Sequence, residues 1–225
     1  MDIEKVEFKF TAARADEGRV LGFLGAQAPA HRTVFFYDTP ALALKAKHLF
    51  LRGRVTEGAG ESTVKLRPVS ERDATAAKNA DDDVRIELDV VGDERAPSAK
   101  LDHEPVDPSA IAAGDPDELF SKDQRKLIER IGGNDALDGV KALGPIAARV
   151  WEIEDLPGFP FKLAAEEWSI PGEHFIELSV KVKPGKADEA HAAFHAFLAG
   201  LVKDVVGDRS RKTERMLKRL AEDRT

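Results

Sequence analysis

Charged and apolar residues alternate along several short segments of this 225-residue chain. Examples are Lys65-Leu66-Arg67, Arg85-Ile86-Glu87-Leu88-Asp89 and Glu177-Leu178-Ser179-Val180-Lys181. Because neighbouring side chains of a β-strand point to opposite faces, each segment predicts a strand with one apolar face and one ionic face. A solvated sheet face would explain one such strand. Their repetition indicates ionic faces that converge on a shared ligand.

The predicted ionic faces carry ten basic and five acidic residues. They are Lys5, Lys9, Arg52, Arg54, Lys65, Arg67, Arg85, Arg149, Lys162 and Lys181, with Glu7, Glu87, Asp89, Glu166 and Glu177. The surplus of cations suits an anion, and guanidinium groups match the geometry of phosphate. The carboxylates would repel that anion unless a hard cation such as Mg²⁺ or Mn²⁺ lay between them. Such a metal polarises phosphoryl groups and acidifies bound water, so the pattern predicts metal-assisted phosphoanhydride cleavage.

Composition excludes several other classes of protein. The net charge of −7 argues against general nucleic-acid binding, and the lack of cysteine excludes disulfides, thiolate metal sites and cysteine nucleophiles. No apolar run approaches the roughly 18 residues of a membrane span, and the first residues lack the apolar core of a signal peptide. We therefore expect a cytoplasmic protein with no membrane partner.

The alternating pattern predicts eight strands, at 3–11, 33–37, 49–55, 62–68, 83–91, 146–153, 161–170 and 174–182. Helical spacing predicts five helices, at 16–24, 41–47, 116–131, 187–206 and 210–222. Residues 70–82 and 92–108 lack a clear period and are predicted as connections. The fold class is α+β: an eight-stranded, mostly antiparallel, closed or near-closed β tunnel with helices packed outside. We expect one domain, 1–225, that includes the C-terminal helices at 187–222.

An ordered series of motifs runs along the chain. It comprises Glu7-Phe8-Lys9-Phe10, Phe36-Tyr37-Asp38-Thr39-Pro40, Leu51-Arg52-Gly53-Arg54, Val64-Lys65-Leu66-Arg67, Arg85-Ile86-Glu87, Phe175-Ile176-Glu177-Leu178 and Ser210-Arg211-Lys212-Thr213-Glu214. This series resembles the CYTH domain of the triphosphate tunnel metalloenzyme superfamily, over essentially the whole chain. The resemblance implies a tunnel that binds a triphosphate together with Mg²⁺ or Mn²⁺. Members include inorganic triphosphatases, thiamine triphosphatases and class IV adenylate cyclases.

The resemblance also implies roles for individual residues. Phosphate would be bound by Lys9, Arg52, Arg54, Lys65, Arg67, Arg85, Arg149 and Lys181. The metal would be held by Glu7, Glu87, Glu166 and Glu177, with Glu167 replacing Glu166 if the strand register shifts by one. Catalysis would fall to Glu7, Lys9 and Glu177. Lys212 and Arg209 either close one mouth of the tunnel or belong to a charged helix surface.

Two positions depart from the family pattern. Lys5 stands where the opening Glu-x-Glu-x-Lys motif has its first glutamate, and Ser179 stands where the last strand often has a second one. The sequence predicts a metal-dependent phosphohydrolase acting on inorganic triphosphate or a small organic triphosphate. The alternatives are a non-catalytic polyphosphate- or nucleotide-binding module, an adenylate cyclase of the same fold, and a scaffold with solvated ionic faces. A homodimer is the default expectation.

Overall fold

The computed structural model describes residues 1–208 and 212–222, and within them nine strands close into one barrel. The strands are β1 Lys5–Thr11, β2 Ala30–Asp38, β3 Leu49–Thr56, β4 Ala59–Leu66, β5 Arg85–Val91, β6 Glu94–Val106, β7 Lys141–Ile153, β8 Leu163–Ile170 and β9 Glu173–Val182. Their order around the barrel is β1-β5-β6-β4-β3-β2-β7-β8-β9. The pairing of β1 with β5 is parallel and the other pairings are antiparallel. The predicted closed tunnel is confirmed, with one strand more than expected.

Helices pack on the outside of the barrel, as the sequence predicted. They are α1 Glu17–Leu24, α2 Ala43–Ala46, α3 Glu71–Lys78, α4 Pro108–Ala113, α5 Pro116–Leu119, α6 Lys122–Gly132, α7 Ala187–Leu201 and α8 Lys212–Glu222. None of these described helices has the length and apolar character needed to cross a membrane.

The outward apolar residues of the strands are buried beneath these helices in two clusters. One cluster joins Leu51 and Val64 to Ile128 of α6. The other joins Phe8 and Leu178 to the apolar sides of α1 and α7. Burial of this surface provides the hydrophobic stabilisation of the fold. Because the apolar faces point outward, the alternation along each strand leaves the charged faces inside the barrel.

A third apolar cluster lies at one end of the barrel interior. The aromatic rings of Phe36, Phe50 and Trp168 pack there with Met216 and Leu217 of α8. The same three aromatic residues line the interior cavity, so α8 covers an apolar end of the tunnel. The charged part of the interior therefore begins where these rings end.

The additional strand is β6, which occupies most of the stretch predicted as a connection. Its two prolines, Pro97 and Pro105, and its many charges hide the alternation that the structure shows. Ala99 and Leu101 are buried in the outer core, whereas Lys100 between them lines the cavity. Prolines reduce the signal for a strand because they cannot donate to the ladder of hydrogen bonds.

Three helical segments also differ from the prediction. Residues 71–78 form α3 within a stretch predicted as a connection. A second unpredicted helix, α4, follows β6. The helix predicted at 116–131 is two helices, because Ser121 begins α6 with a capping box that includes Gln124. The Gln124 side chain is buried and bonds to Ser62 of β4, which fixes α6 on the barrel.

Candidate functional site

A cavity of about 530 Å³ lies inside the barrel. Among the described residues, ten basic and six acidic side chains line it. They are Lys9, Arg32, Arg52, Arg54, Lys65, Arg67, Lys100, Lys162, Lys181 and Lys212, with Glu7, Glu61, Glu87, Glu152, Glu166 and Glu177. Cations are thus in excess inside a chain whose net charge is −7. A cavity of this size and charge suits a small anionic ligand.

Three cations converge on the buried carboxylate of Asp89. Lys65 Nζ lies 2.8 Å, Lys9 Nζ 3.1 Å and Arg67 Nη1 3.5 Å from its oxygen atoms. Burial alone would raise the pKa of Asp89, but Lys9 and Lys65 outweigh burial and hold it well below its usual value. Lys9 also lies 3.1 Å from Glu7, and Arg67 lies 3.7 Å from Glu214, so Asp89 is the shared centre of an ionic network on this wall of the tunnel.

Burial inside the barrel disfavours the charged forms of two cations, as their pKa values show. Burial lowers the pKa of Lys65 to about 8, although Asp89 opposes the shift. Burial also lowers the pKa of Arg52 to about 10, and the neighbouring Arg54 adds to this effect. For Lys9, burial acts in the same direction, but Glu7 and Asp89 outweigh it and raise the pKa. An anion in the cavity would stabilise the charged forms of Lys65 and Arg52.

Two arginine N–H groups in the cavity wall have no acceptor. Within the described residues, the buried Nε atoms of Arg52 and Arg67 make no hydrogen bond. The other contact of Arg52 is weak, since its Nη2 lies 3.4 Å from Thr63 Oγ1. A buried charged donor without a partner is costly, and native proteins rarely leave one unmatched. Both side chains line the cavity, so a bound phosphate group could draw their guanidinium groups toward it.

Three carboxylates form a candidate metal centre near these cations. Glu7, Glu87 and Asp89 each offer an oxygen atom, and these atoms lie within 4.8 Å of one another. Burial alone would raise the pKa of Glu7, but Lys9 and Lys181 hold it well below its usual value. Carboxylate oxygen atoms are the ligands that Mg²⁺ and Mn²⁺ prefer, so the donor set fits such an ion.

A second group, of two carboxylates, lies on β8 and β9, whereas the first group lies on β1 and β5. Glu166 of β8 and Glu177 of β9 are paired neighbours, and Lys212 of α8 lies between them. Its Nζ is 2.8 Å from Glu166 and 3.1 Å from Glu177. Burial would raise the pKa of Glu166, but Lys212 and Arg32 outweigh burial and hold it well below its usual value.

Most of the predicted site residues line the cavity. They are Glu7, Lys9, Arg52, Arg54, Lys65, Arg67, Glu87, Glu166, Glu177 and Lys181. The predicted metal ligands fall into two groups rather than one. Glu177 lies opposite Thr11, which is four residues, or roughly 13 Å, from Glu7 along β1. Asp89, which the sequence placed on the inward face without a metal role, completes the first group.

Three predicted residues do not line the cavity. Arg149 lies on the outer face of β7, 45% exposed, where it pairs with Glu167 and lies over the Trp151 ring. The expected inward position of Arg149 is corrected because the register of β7 turns the neighbouring residue, Val150, inward. Arg85 is exposed at the start of β5 and does not line the cavity. Lys5 is partly buried and does not line the cavity either.

Six charged residues of the cavity were outside the predicted site residues, and two of them are Glu152 and Lys162, of which Lys162 had been placed on an inward face. Arg32 and Glu61 lie just beyond the predicted strand ends, and Lys100 lies on the missed strand β6. The even spacing of Arg32 with Val34 and Phe36 was a usable signal for Arg32. Lys212 was considered as a residue at the tunnel mouth, and the structure places it inside. Its predicted companion Arg209, and Ser210 and Arg211 of the last motif, lie outside the described residues.

Comparison with known proteins identifies the fold. No family model and no curated protein matches the sequence. Among solved structures, a proposed adenylate cyclase from Bacillus halodurans matches with a TM-score of 0.63 at 14% identity, over 95% of this chain and 97% of that one. The chain shares the fold of that protein.

A second tunnel structure supports the same conclusion. The Hippeastrum protein HpAC1, a proposed adenylyl cyclase described with a dominant triphosphatase activity, matches with a TM-score of 0.62 at 16% identity. The match covers 96% of each chain. At these identities the similarity concerns the fold, and the tunnel's own residues must carry any statement about its chemistry.

Proposed function

We propose that this chain is a metal-dependent phosphohydrolase that cleaves inorganic triphosphate or a small organic triphosphate inside the tunnel. The observation that carries the proposal is the excess of cations that line the cavity, among them Arg52 and Arg67, whose buried Nε atoms have no hydrogen-bond acceptor among the described residues. Phosphate oxygen atoms would satisfy both groups and would neutralise the surplus of interior cations.

The residues of the tunnel wall would bind and orient the phosphates. Arg52 and Arg67 would donate through their guanidinium groups, and Arg54 and Lys181 would add positive charge. Lys9 and Lys65 both contact Asp89 in the structure. Each ammonium group would also attract the phosphate oxygen atoms of the ligand. These fixed cations would also stabilise negative charge that develops on the transferred phosphoryl and leaving groups.

Glu7, Glu87 and Asp89 would hold Mg²⁺ or Mn²⁺. The metal would polarise a phosphoryl oxygen and acidify a bound water when it is present. Of the predicted catalytic residues, Glu7 and Lys9 lie at this carboxylate group, 3.1 Å apart. Glu177 lies elsewhere on the cavity wall and pairs with Lys212, so in this proposal the metal-bound water lies beside Glu7 and Lys9.

A binding module without catalysis is the second candidate. It is favoured by Ser179, which offers no carboxylate, and by Lys212, which already neutralises Glu166 and Glu177. In that case the tunnel would hold polyphosphate or a nucleotide and leave the anhydride bonds intact.

Phosphate release from tripolyphosphate, with Mg²⁺, with Mn²⁺ and with chelator, tests the proposal. We expect release that requires the metal, is strongly reduced in Arg52→Gln and is retained in the outer-face variant Arg149→Gln. Tight binding without release would favour the binding module. A parallel incubation with ATP tests the cyclase alternative, which would form cyclic AMP and pyrophosphate in place of free phosphate.

We further expect the protein to act in the cytoplasm without nucleic-acid or membrane partners. The default homodimer also stays a prediction. Met1 and Val206 are the large apolar residues found exposed among the described residues, so a dimer would have to use a mostly polar surface. Sedimentation equilibrium would give the oligomeric state.

A further inference from the structure

The Glu166 carboxylate is matched by three N–H donors of the protein. Arg32 Nη1 donates to one oxygen at 2.5 Å, and Lys212 Nζ and Trp168 Nε1 donate to the other at 2.8 and 3.1 Å. Two of these donors have second contacts that fix them. Arg32 Nε donates to Thr56 Oγ1 at 2.8 Å, and Lys212 Nζ lies 4.1 Å from the centre of the Trp168 ring. Little coordination capacity therefore remains on Glu166.

Lys212 is held in place by the helix that carries it. Its side chain is 6% exposed, and Met216 and Leu217 of the same helix are buried against the apolar end of the tunnel. The packed helix therefore places this ammonium group beside Glu166 and Glu177. Removal of one partner from such a buried ionic group is unfavourable, because the remaining like charges would then face each other.

The other carboxylate group also holds a largely buried lysine, since Lys9 Nζ lies 3.1 Å from both Glu7 and Asp89 with its side chain 15% exposed, but two further cations there are less constrained. Lys181, which contacts Glu7 and Glu87, is 36% exposed, and Arg67 still has an unmatched Nε. A bound phosphate chain would draw these cations away and leave Glu7, Glu87 and Asp89 available to a metal. Nothing comparable would free Glu166, whose donors are fixed by the protein itself.

We infer that the Lys212 ammonium takes the place of a divalent cation between Glu166 and Glu177, so that the tunnel binds a single metal ion, at Glu7, Glu87 and Asp89. Glu166 is then a positioning residue for Arg32 and Lys212 instead of a metal ligand. Ser179 agrees with this assignment, because it adds no carboxylate beside Glu177. The inference rests on the proposed function only for the metal at the first group.

The number of Mn²⁺ ions bound by the whole chain tests the inference, measured by titration calorimetry and by the loss of the free-ion paramagnetic resonance signal. We expect one Mn²⁺ per chain in the wild type. Lys212→Met releases the second carboxylate pair and should bind two, and its melting temperature should rise more with Mn²⁺ than that of the wild type. Lys126→Met, which removes an exposed lysine of α6, should still bind one.

Two further variants separate the carboxylate groups. Asp89→Asn should lower the Mn²⁺ affinity about tenfold or more, whereas Glu166→Gln should leave the number and affinity of bound ions unchanged. Lys212→Gln, which keeps a hydrogen-bond donor, serves as the second test if Lys212→Met does not fold. Two ions in the wild type, with one lost in Glu166→Gln, would overturn the inference. So would a single ion, or none, in a folded Lys212 variant.

The same titrations repeated with tripolyphosphate distinguish this inference from the proposed function. Suppose that tripolyphosphate is neither bound nor cleaved, while the wild type binds one Mn²⁺ and Lys212→Met binds two. The proposed function then fails and the inference stands. If tripolyphosphate is cleaved but the wild type binds two ions, the proposed function stands and the inference fails.

Discussion

Two groups of acidic residues in the tunnel are similar in composition and differ in how they are satisfied. At Asp89, a single carboxylate is shared by Lys9, Lys65 and Arg67, and Arg67 keeps an unmatched donor. At Glu166, each oxygen atom has a protein donor that is fixed elsewhere. Each group contains carboxylates in contact with several cations, so the presence of opposite charges alone does not distinguish them. We interpret the unmatched Nε of Arg67 as a sign that the Asp89 group can take a ligand, whereas the three donors to Glu166 are already matched.

The largest effect on stability is expected from Asp89→Asn. The Asp89 side chain is 3% exposed, and its loss removes a shared counter-charge from three largely buried cations, of which Lys9 keeps Glu7 and Arg67 keeps Glu214. The free energy of unfolding should fall by about 3–5 kcal/mol in urea denaturation. Tripolyphosphate should restore part of this loss by supplying negative charge. Asp102→Asn, at a more exposed pair with Lys100, is the matched control and should cost much less.

A loss below about 1 kcal/mol for Asp89→Asn, the range of exposed ion pairs, would show that its three cations are solvated instead of buried. The comparison between the two acidic groups would then lose its basis.

The next largest effect concerns ligand affinity. Arg52→Gln removes an unmatched donor from the cavity, and hydrogen bonds to charged groups contribute about 1.5–3 kcal/mol. The affinity for tripolyphosphate should therefore fall about tenfold to a hundredfold in titration calorimetry. Arg149→Gln removes the same side chain from the outer face and should leave affinity unchanged. Equal losses in the two variants would indicate nonspecific attraction of the anion.

The third prediction uses the pKa of Lys65, which burial lowers to about 8 from an ordinary value of 10.5. Between these values the unfolded chain binds more protons than the folded one, so this group makes the folded state more stable as pH rises. Anion affinity should change in the opposite direction, because neutral Lys65 no longer attracts phosphate. Metal-free protein should lose up to about tenfold in tripolyphosphate affinity per pH unit above pH 8.

Lys65→Arg should remove this pH dependence, since a guanidinium stays protonated throughout the range. An unchanged slope in the variant would assign the titration to a different group.

The smallest effect is expected at Lys162, which lines the cavity but is half exposed and pairs with Glu152 and Glu154. Lys162→Gln should change the free energy of unfolding by less than about 1 kcal/mol. Its effect on tripolyphosphate affinity should be well below that of Arg52→Gln. An effect as large as that of Arg52→Gln would extend the ligand site toward solvent.

The sequence allowed much of the barrel to be predicted, because alternation is a direct consequence of strand geometry. It identified the inward faces of β1, β3, β4, β5 and β9, with Lys9, Arg52, Lys65, Glu87 and Glu177 on them. Register was harder to predict. Arg149 lies in a run of alternating residues, yet a shift of one residue reverses every side chain, and here Val150 points inward.

Other features of the site depend on contacts between distant parts of the chain. Lys212 is 46 residues from Glu166, and local spacing cannot show that α8 brings them together. The separation of Glu7 from Glu177 follows from the pairing of β1 with β9, which no motif encodes. The helix α3 has clear signals in its alanines and in its Ser70 cap, which accepts from Asp73 N, but its buried residues are the small Ala74 and Ala77, so no large apolar residue marks a helical period.

Titration of tripolyphosphate into the wild-type chain, followed by calorimetry and by thermal unfolding, tests the central claim most directly. The account predicts one tripolyphosphate per chain, an affinity that weakens in Arg52→Gln and Arg67→Gln, and a melting temperature that rises with ligand concentration. Absence of both heat and stabilisation, with the wild type and the two arginine variants indistinguishable, would contradict it.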